Sequence, residues 1–157
     1  MDHFEKYLAQ TYRYIAYRGR SEKEVRDYLA KKNAPSEVIE KLIALLYEQK
    51  FLNDEEFARG WMLARARSRP KGKRVIRMEL QRKGIDKEII DLVLAEVHED
   101  VPDELTQAKN LIVRRVEKLS GEPKQIIYNK VGSFLARRGF GWDITKRAID
   151  DVMRKEV

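Results

Sequence analysis

The chain of 157 residues contains no cysteine and only four prolines and eight glycines. Without cysteine it cannot form disulfides, use a thiol nucleophile or hold an iron–sulfur cluster. No apolar run approaches the ~20 residues needed to span a bilayer. The first residues also lack the basic segment and apolar core of a signal peptide. We therefore expect a soluble, cytoplasmic protein that does not enter a membrane.

Motifs for catalysis are equally scarce. The two histidines, His3 and His98, lie far apart and belong to no metal-ligand spacing. Gly72 and Lys73 lack the earlier glycine of a phosphate-cradling loop, because Arg67 occupies that place. No serine lies in a nucleophile elbow. We expect a non-enzymatic protein without metal or cofactor, and a site assembled from distant residues is the alternative left open.

Helical periodicity is what the sequence has in abundance. Apolar residues recur three and four positions apart, for example over residues 38–46 and over 89–97, where Val97 closes the pattern. Ser21 and Asn53 are each followed three residues later by glutamate, the pattern of a capping box at a helix start. These signals predict an all-α fold.

The helices recur in repeats. A helix that ends in basic residues and is followed by asparagine or glycine occurs three times, at an interval of about fifty residues, with Asn33, Gly84 and Gly139 at the turn. Asparagine and glycine tolerate the left-handed backbone at a helix C-terminus. We predict three tandem three-helix repeats over residues 1–50, 51–101 and 102–157, each opening with a helix near 3–17, 54–68 and 104–118. Because so small a unit has little core of its own, the repeats should stack into an elongated monomer.

Charge is distributed unevenly along the chain. Lys and Arg outnumber Asp and Glu by 33 to 26, giving a net charge of +7. Residues 65–83 carry nine basic groups and one acidic, 84–108 one basic and eight acidic, and 109–138 eight basic and two acidic. We call the first stretch the basic band; its cations are Arg65, Arg67, Arg69, Lys71, Lys73, Arg74, Arg77, Arg82 and Lys83. The second basic region includes Arg114, Arg115 and Lys118. Such concentrated charge predicts contact with a polyanion or an acidic partner.

The turn before each third helix has the form of a helix-turn-helix, but its charge argues against a role in reading duplex DNA. The candidate recognition helix over 87–96 carries one basic residue and three acidic ones, which phosphate would repel. Basic residues near tyrosines instead fit weak, sequence-independent binding of single strands. Trp142, beside Gly141, is compatible with either a core or a surface position.

Three stretches, SEKEVRDYL (21–29), FLNDEEFAR (51–59) and KGKRVIRMELQRKGI (71–85), resemble the RecX regulatory proteins of bacteria. The resemblance covers nearly the whole chain, with the third repeat matching more loosely. It implies a curved array of three-helix repeats that binds the RecA recombinase and restrains its filament on single-stranded DNA, and with it ATPase, DNA repair, recombination and the SOS response. It supplies no catalytic residue and no short binding motif.

Two functions follow from these observations. The first is a regulator that binds the RecA filament, with weak single-stranded DNA contact. The second is a nucleic-acid-binding helical-repeat module without an obligate protein partner. For either one, we expect Arg74 and Arg77 to be exposed contact residues, because Val75, Ile76 and Leu80 supply the inner face of their helix.

Overall fold

The computed structural model describes residues 3–155, which contain nine α-helices and no β-strand. The helices are α1 (His3–Tyr17), α2 (Glu22–Lys31), α3 (Ser36–Glu48), α4 (Asp54–Arg67), α5 (Lys73–Arg82), α6 (Lys87–Ala95), α7 (Glu104–Lys118), α8 (Lys124–Arg137) and α9 (Trp142–Lys155). The prediction of an all-α fold is confirmed. The first helix of each repeat lies within one residue of its predicted bounds.

The helices form two compact units. The first comprises the residues up to Trp61 together with Leu80–Val93, and the second comprises Met62–Glu79 together with the residues from Leu94 onward. A core of α1–α3 side chains lies in the first unit, including the fully buried Val25, Leu29, Leu42 and Leu46. A core of α7–α9 side chains lies in the second, including Ile112, Leu135 and Ile149. The three helices of the middle repeat are divided between the units.

The turn after the second helix of each repeat has the same backbone geometry. Its central residue has a left-handed φ of 62° at Asn33, 79° at Gly84 and 94° at Gly139. The amide of the following residue donates to the carbonyl five positions earlier, over 3.0 Å from Ala34 to Leu29, 3.1 Å from Ile85 to Leu80 and 3.1 Å from Phe140 to Leu135. These bonds satisfy carbonyls that the helix end leaves open. The three aligned turns predicted from the sequence are therefore equivalent in structure.

The predicted helix starts are largely as expected. Ser21 caps α2 with both bonds of a capping box, and Asn53 accepts a 3.1 Å hydrogen bond from the Glu56 amide. The prediction that the helical pattern extends to Val97 is wrong, however. Helix α6 ends at Ala95, so Val97 lies beyond the helical register and is 93% exposed.

No helix within residues 3–155 combines the length and the apolar composition that a membrane-crossing segment needs. Over that same part of the chain, His, Asp and Glu do not gather in groups of three or more that could hold a metal ion.

Candidate nucleic-acid and partner interface

The loop of the basic band is fixed by main-chain contacts within the second unit. The Gly72 amide donates a 2.7 Å hydrogen bond to the carbonyl of Arg138, and the Arg74 amide donates to Gly139 over 3.3 Å. Gly72 is buried, and a Cβ atom at this position would overlap the carbonyl of Gly139. Glycine is therefore required where the band begins its helix, and the contact sets the position of the cations that follow.

Four cations of the band in the second unit project from the surface. Arg67, Arg69, Lys73 and Arg74 are exposed, whereas Lys71 is half-buried. Arg67 lies 3.9 Å from Asp100, a distance at which two exposed groups attract only weakly. The Arg74 guanidinium donates a 2.9 Å bond to the carbonyl of Ala136, near the end of α8. These side chains can reach phosphate or carboxylate groups of a partner.

Two arginines of the band are committed to the protein itself. Arg65 is half-buried and binds Glu79 through both guanidinium arms, with Nε 2.9 Å from Oε1. Arg77 was expected to be exposed, but it is half-buried and engaged within the protein. The expectation failed because α5 is covered on more than the face of Ile76 and Leu80. The charges of Arg65 and Arg77 therefore stabilise the fold at least as much as they contribute to a binding surface.

The last two cations of the band belong to the first unit. Arg82 is exposed. Lys83 is half-buried, with Nζ 3.2 Å from Glu24 and 5.4 Å from the Trp61 ring centroid. Burial raises the pKa of Glu24, but hydrogen bonds from the Ser21 amide, Arg18 and Lys83 outweigh it and leave the pKa lowered. The ionised Glu24 thus holds Lys83 in place.

The second basic region meets the band through α8. Arg114, Arg115 and Lys118 are exposed on α7. The Arg115 guanidinium carbon lies 3.6 Å from the ring centroid of Phe134, and that of Arg138 lies 4.8 Å from the same centroid. Because the Arg138 carbonyl also accepts the Gly72 amide, Arg138 links the two basic segments that are separated in sequence.

Arg138 is not among the cations predicted for the interface. With Arg137 it forms one of the basic helix ends that precede the left-handed turns, where the negative end of the helix dipole stabilises a cation. The repeat pattern contained a usable signal, since a basic residue precedes each of the three left-handed turns. The folded surface of the second unit adds the exposed Arg137 and half-buried Arg138 to the predicted cations.

Guanidinium and ammonium groups in this arrangement can bind phosphates and carboxylates, with arginine able to form paired hydrogen bonds. Salt reduces such contacts because each phosphate that is neutralised releases counterions.

Family models match all three parts of the chain. The first three-helix domain of RecX matches residues 8–46, the second matches 53–94 and the third matches 102–149. Together they cover most of the sequence and follow the order of the three repeats.

Curated relatives agree with these matches. Regulatory protein RecX of Bacillus pumilus is 32% identical over 150 residues, which are 96% of this chain and 56% of the relative. That of Bacillus velezensis is 34% identical over 150 residues, or 95% and 56%. The chain thus spans about half the length of the curated relatives it matches.

Solved structures share the fold. A crystal structure of RecX from Lactobacillus salivarius aligns with a TM-score of 0.87 at 24% identity, covering 95% of this chain and 96% of that one. A second crystal structure of regulatory protein RecX aligns with a TM-score of 0.79 at 24% identity, over 94% and 71%. Three matching domains in order, and relatives above 30% identity along nearly the whole chain, place this protein in the RecX family.

Proposed function

We propose that this protein is a non-enzymatic regulator that binds RecA and its filament on single-stranded DNA and restrains recombinase, ATPase and SOS activity. The observation that carries the proposal is membership of a family whose members are named regulatory proteins. Under this proposal it acts in the cytoplasm as a monomer, and the repeats divide at residues 50/51 and 101/102.

The proposed contact surface is the exposed part of the basic band with the second basic region. The carboxylate of Asp100 lies 3.9 Å from Arg67, and the Arg74 guanidinium bonds a neutral carbonyl, so both arginines keep charge for a partner. Arg69 is exposed as well. A filament on single-stranded DNA offers phosphates and acidic protein groups, and both attract guanidinium. The second region contributes Arg114, Arg115 and Lys118 to this surface. In this assignment Arg65 and Arg77 position the surface of the second unit, while Lys71 and Lys73 add charge to it.

The basic surface also supports a second function, nonspecific binding of nucleic acid without an obligate protein partner. Electrostatic contact with phosphate supplies most of such binding and weakens steeply with salt. The two functions therefore differ in whether binding to the RecA filament persists once the contact with phosphate is removed.

A pull-down in high salt separates them. The salt concentration is first raised until the protein no longer binds naked single-stranded DNA. RecA filaments assembled on the same DNA are then offered under those conditions. Retention on the filament supports the regulator, whereas loss of binding to both supports the nucleic-acid module.

A further inference from the structure

The second unit carries an open groove between α8 and α9 with an exposed tryptophan on its wall. The groove has a volume of about 580 Å³. Trp142, the first residue of α9, is 59% exposed. A large aromatic ring left in water forgoes the stabilisation that burial would give it. The ring is therefore available to a ligand.

The opposite wall is a stripe of small and polar residues on α8. Residues three and four positions apart share this face, namely Gln125, Tyr128, Asn129, Gly132, Ser133 and Ala136. Gly132 lies beside the indole, since a Cβ atom there would be 3.8 Å from Trp142. The Tyr128 ring centroid is 6.4 Å from that of Trp142, with the planes inclined by 54°. The groove thus combines two aromatic rings with side-chain amides.

Two lysines line the groove, and two carboxylates lie beside it. Lys124 and Lys146 line it, with Lys124 Nζ 5.8 Å from the Tyr128 ring centroid. Lys146 is 3.0 Å from Asp150, a carboxylate that also accepts the Tyr128 hydroxyl, and Asp143 is exposed beside Trp142. At the other end, Ala136 lines the groove and its carbonyl accepts the Arg74 guanidinium. The groove therefore begins where the basic band touches α8.

We propose that this groove is a stacking site for an unpaired nucleobase of single-stranded nucleic acid, with Trp142 as its platform and Lys124, Lys146 and Arg74 facing the flanking phosphates. Aromatic rings beside a cationic track are the arrangement by which single strands are held without sequence preference. The exposed Gln125 amide donates a 3.1 Å hydrogen bond to Asn129, and the remaining donors and acceptors of the two amides can bond a base edge.

The occupant is a single strand because the faces of duplex bases are covered by their neighbours. A duplex would offer phosphates to the lysines and no base to the indole. The inference rests on the proposed function only in its single-stranded DNA contact, and its test omits RecA.

The experiment follows Trp142 fluorescence in a Trp61→Phe background, which removes the other tryptophan. Oligothymidylate is titrated in, and a hairpin duplex of equal length serves as the comparison. We expect saturable quenching by the single strand and little by the duplex. Equal quenching by both, or none by the single strand, would overturn the proposal.

Binding of a labelled oligothymidylate by anisotropy supplies the second measurement. Trp142→Ala should weaken binding by about tenfold or more, since one stacked base contributes on that order, and Trp142→Phe should restore most of it.

Phe51→Ala is the matched control, because Phe51 is 57% exposed but lies in an apolar patch with no charged lining residue. Folding is checked by circular dichroism. Unchanged affinity in a folded Trp142→Ala variant, or an equal loss in Phe51→Ala, contradicts the site. Regulation of RecA is tested by the RecA ATPase assay, which does not measure base stacking at Trp142. Failure of the stacking site can therefore be distinguished from failure of the proposed function.

Discussion

The Ser21 hydroxyl donates a 2.7 Å hydrogen bond to the main-chain carbonyl of Lys83, the residue before the left-handed turn at Gly84. In the second unit the Gly72 amide donates a 2.7 Å bond to the carbonyl of Arg138, the residue before Gly139. Ser21 and Gly72 occupy the same position in their repeats. The residue that precedes the second helix of one repeat therefore bonds the end of the second helix of the next repeat in two places. Ser21 makes this contact, which we call the junction, through its side chain, and Gly72 makes it through the main chain.

Alanine at Gly139 should be strongly destabilising. The φ of 94° disfavours any side chain, and the new Cβ would lie 2.5 Å from the Val75 side chain. Backbone strain costs about 1–3 kcal/mol, and overpacking adds about 1–3 kcal/mol. Gly121→Ala is the matched control, because Gly121 has a φ of 90° but no atom within 4 Å of the added Cβ. Urea denaturation should show a clearly larger loss at Gly139; equal losses would mean that the junction is not tightly packed.

Replacing Ser21 by alanine should lower the free energy of unfolding by about 1–2 kcal/mol, since a helix N-cap alone contributes ~0.5–2 kcal/mol. The variant loses the bond to the Glu24 amide and the bond to Lys83. Ser120→Ala, at an exposed serine, provides the comparison. Thermal and urea unfolding measure the difference. If the Ser21 variant is as stable as the Ser120 variant, the junction does not stabilise the first unit.

Glu24 should make stability depend on acid pH. Its pKa is lowered in the folded protein from an ordinary value of 4.5, so the unfolded chain binds the proton more readily. The stabilisation is complete above that value and is lost as the pH falls through the lowered pKa. Glu24→Gln should be less stable than the wild type at pH 7, with a difference that shrinks below pH 4.5. A difference independent of pH would show that the charge of Glu24 contributes nothing.

Asp54 should behave in the opposite way. Burial raises its pKa, aided by the charges of Glu22 and Asp86 and opposed by a hydrogen bond from the Glu22 amide. The folded protein therefore binds this proton more tightly than the unfolded chain, and the contribution of Asp54 to stability rises as the pH falls through the raised pKa. Relative to Asp54→Asn, the wild type should gain stability on acidification. A relative loss on acidification would contradict this sign.

The helices and repeats were predictable because they depend on local signals. Short sequence patterns specify the capping box at Ser21 and the left-handed turns at Asn33, Gly84 and Gly139. Apolar periodicity does not show where α6 ends. Val97 therefore fits the apolar face in sequence, although the helix ends at Ala95. Local patterns specify elements well and their ends less well.

The interface was harder to predict because exposure depends on packing between distant segments. Charge counting could not separate Arg74, which is exposed, from Arg65 and Arg77, which are held within the protein. The part played by Arg138 depends on its contact with Gly72, a residue far away in sequence. The groove at Trp142 likewise requires α8 and α9 to be placed together.

Charge reversal should separate binding from folding most cleanly at exposed arginines. Arg69→Glu with Arg74→Glu places two carboxylates where the filament offers phosphates and acidic groups. Close like charges at an interface cost several kcal/mol, and each ~1.4 kcal/mol is tenfold in affinity, so binding should weaken about a hundredfold or more. Glu88→Lys, also at an exposed position, should bind as well as the wild type or better. Filament binding by a folded double variant at wild-type affinity would place the contact elsewhere.

The most direct test is the RecA ATPase rate on single-stranded DNA as this protein is titrated in. We expect the rate to fall with added wild-type protein and with the Glu88→Lys variant. With the Arg69→Glu, Arg74→Glu variant at the same concentrations, the rate should stay high. A rate that the wild-type protein leaves unchanged would contradict regulation of RecA by this chain.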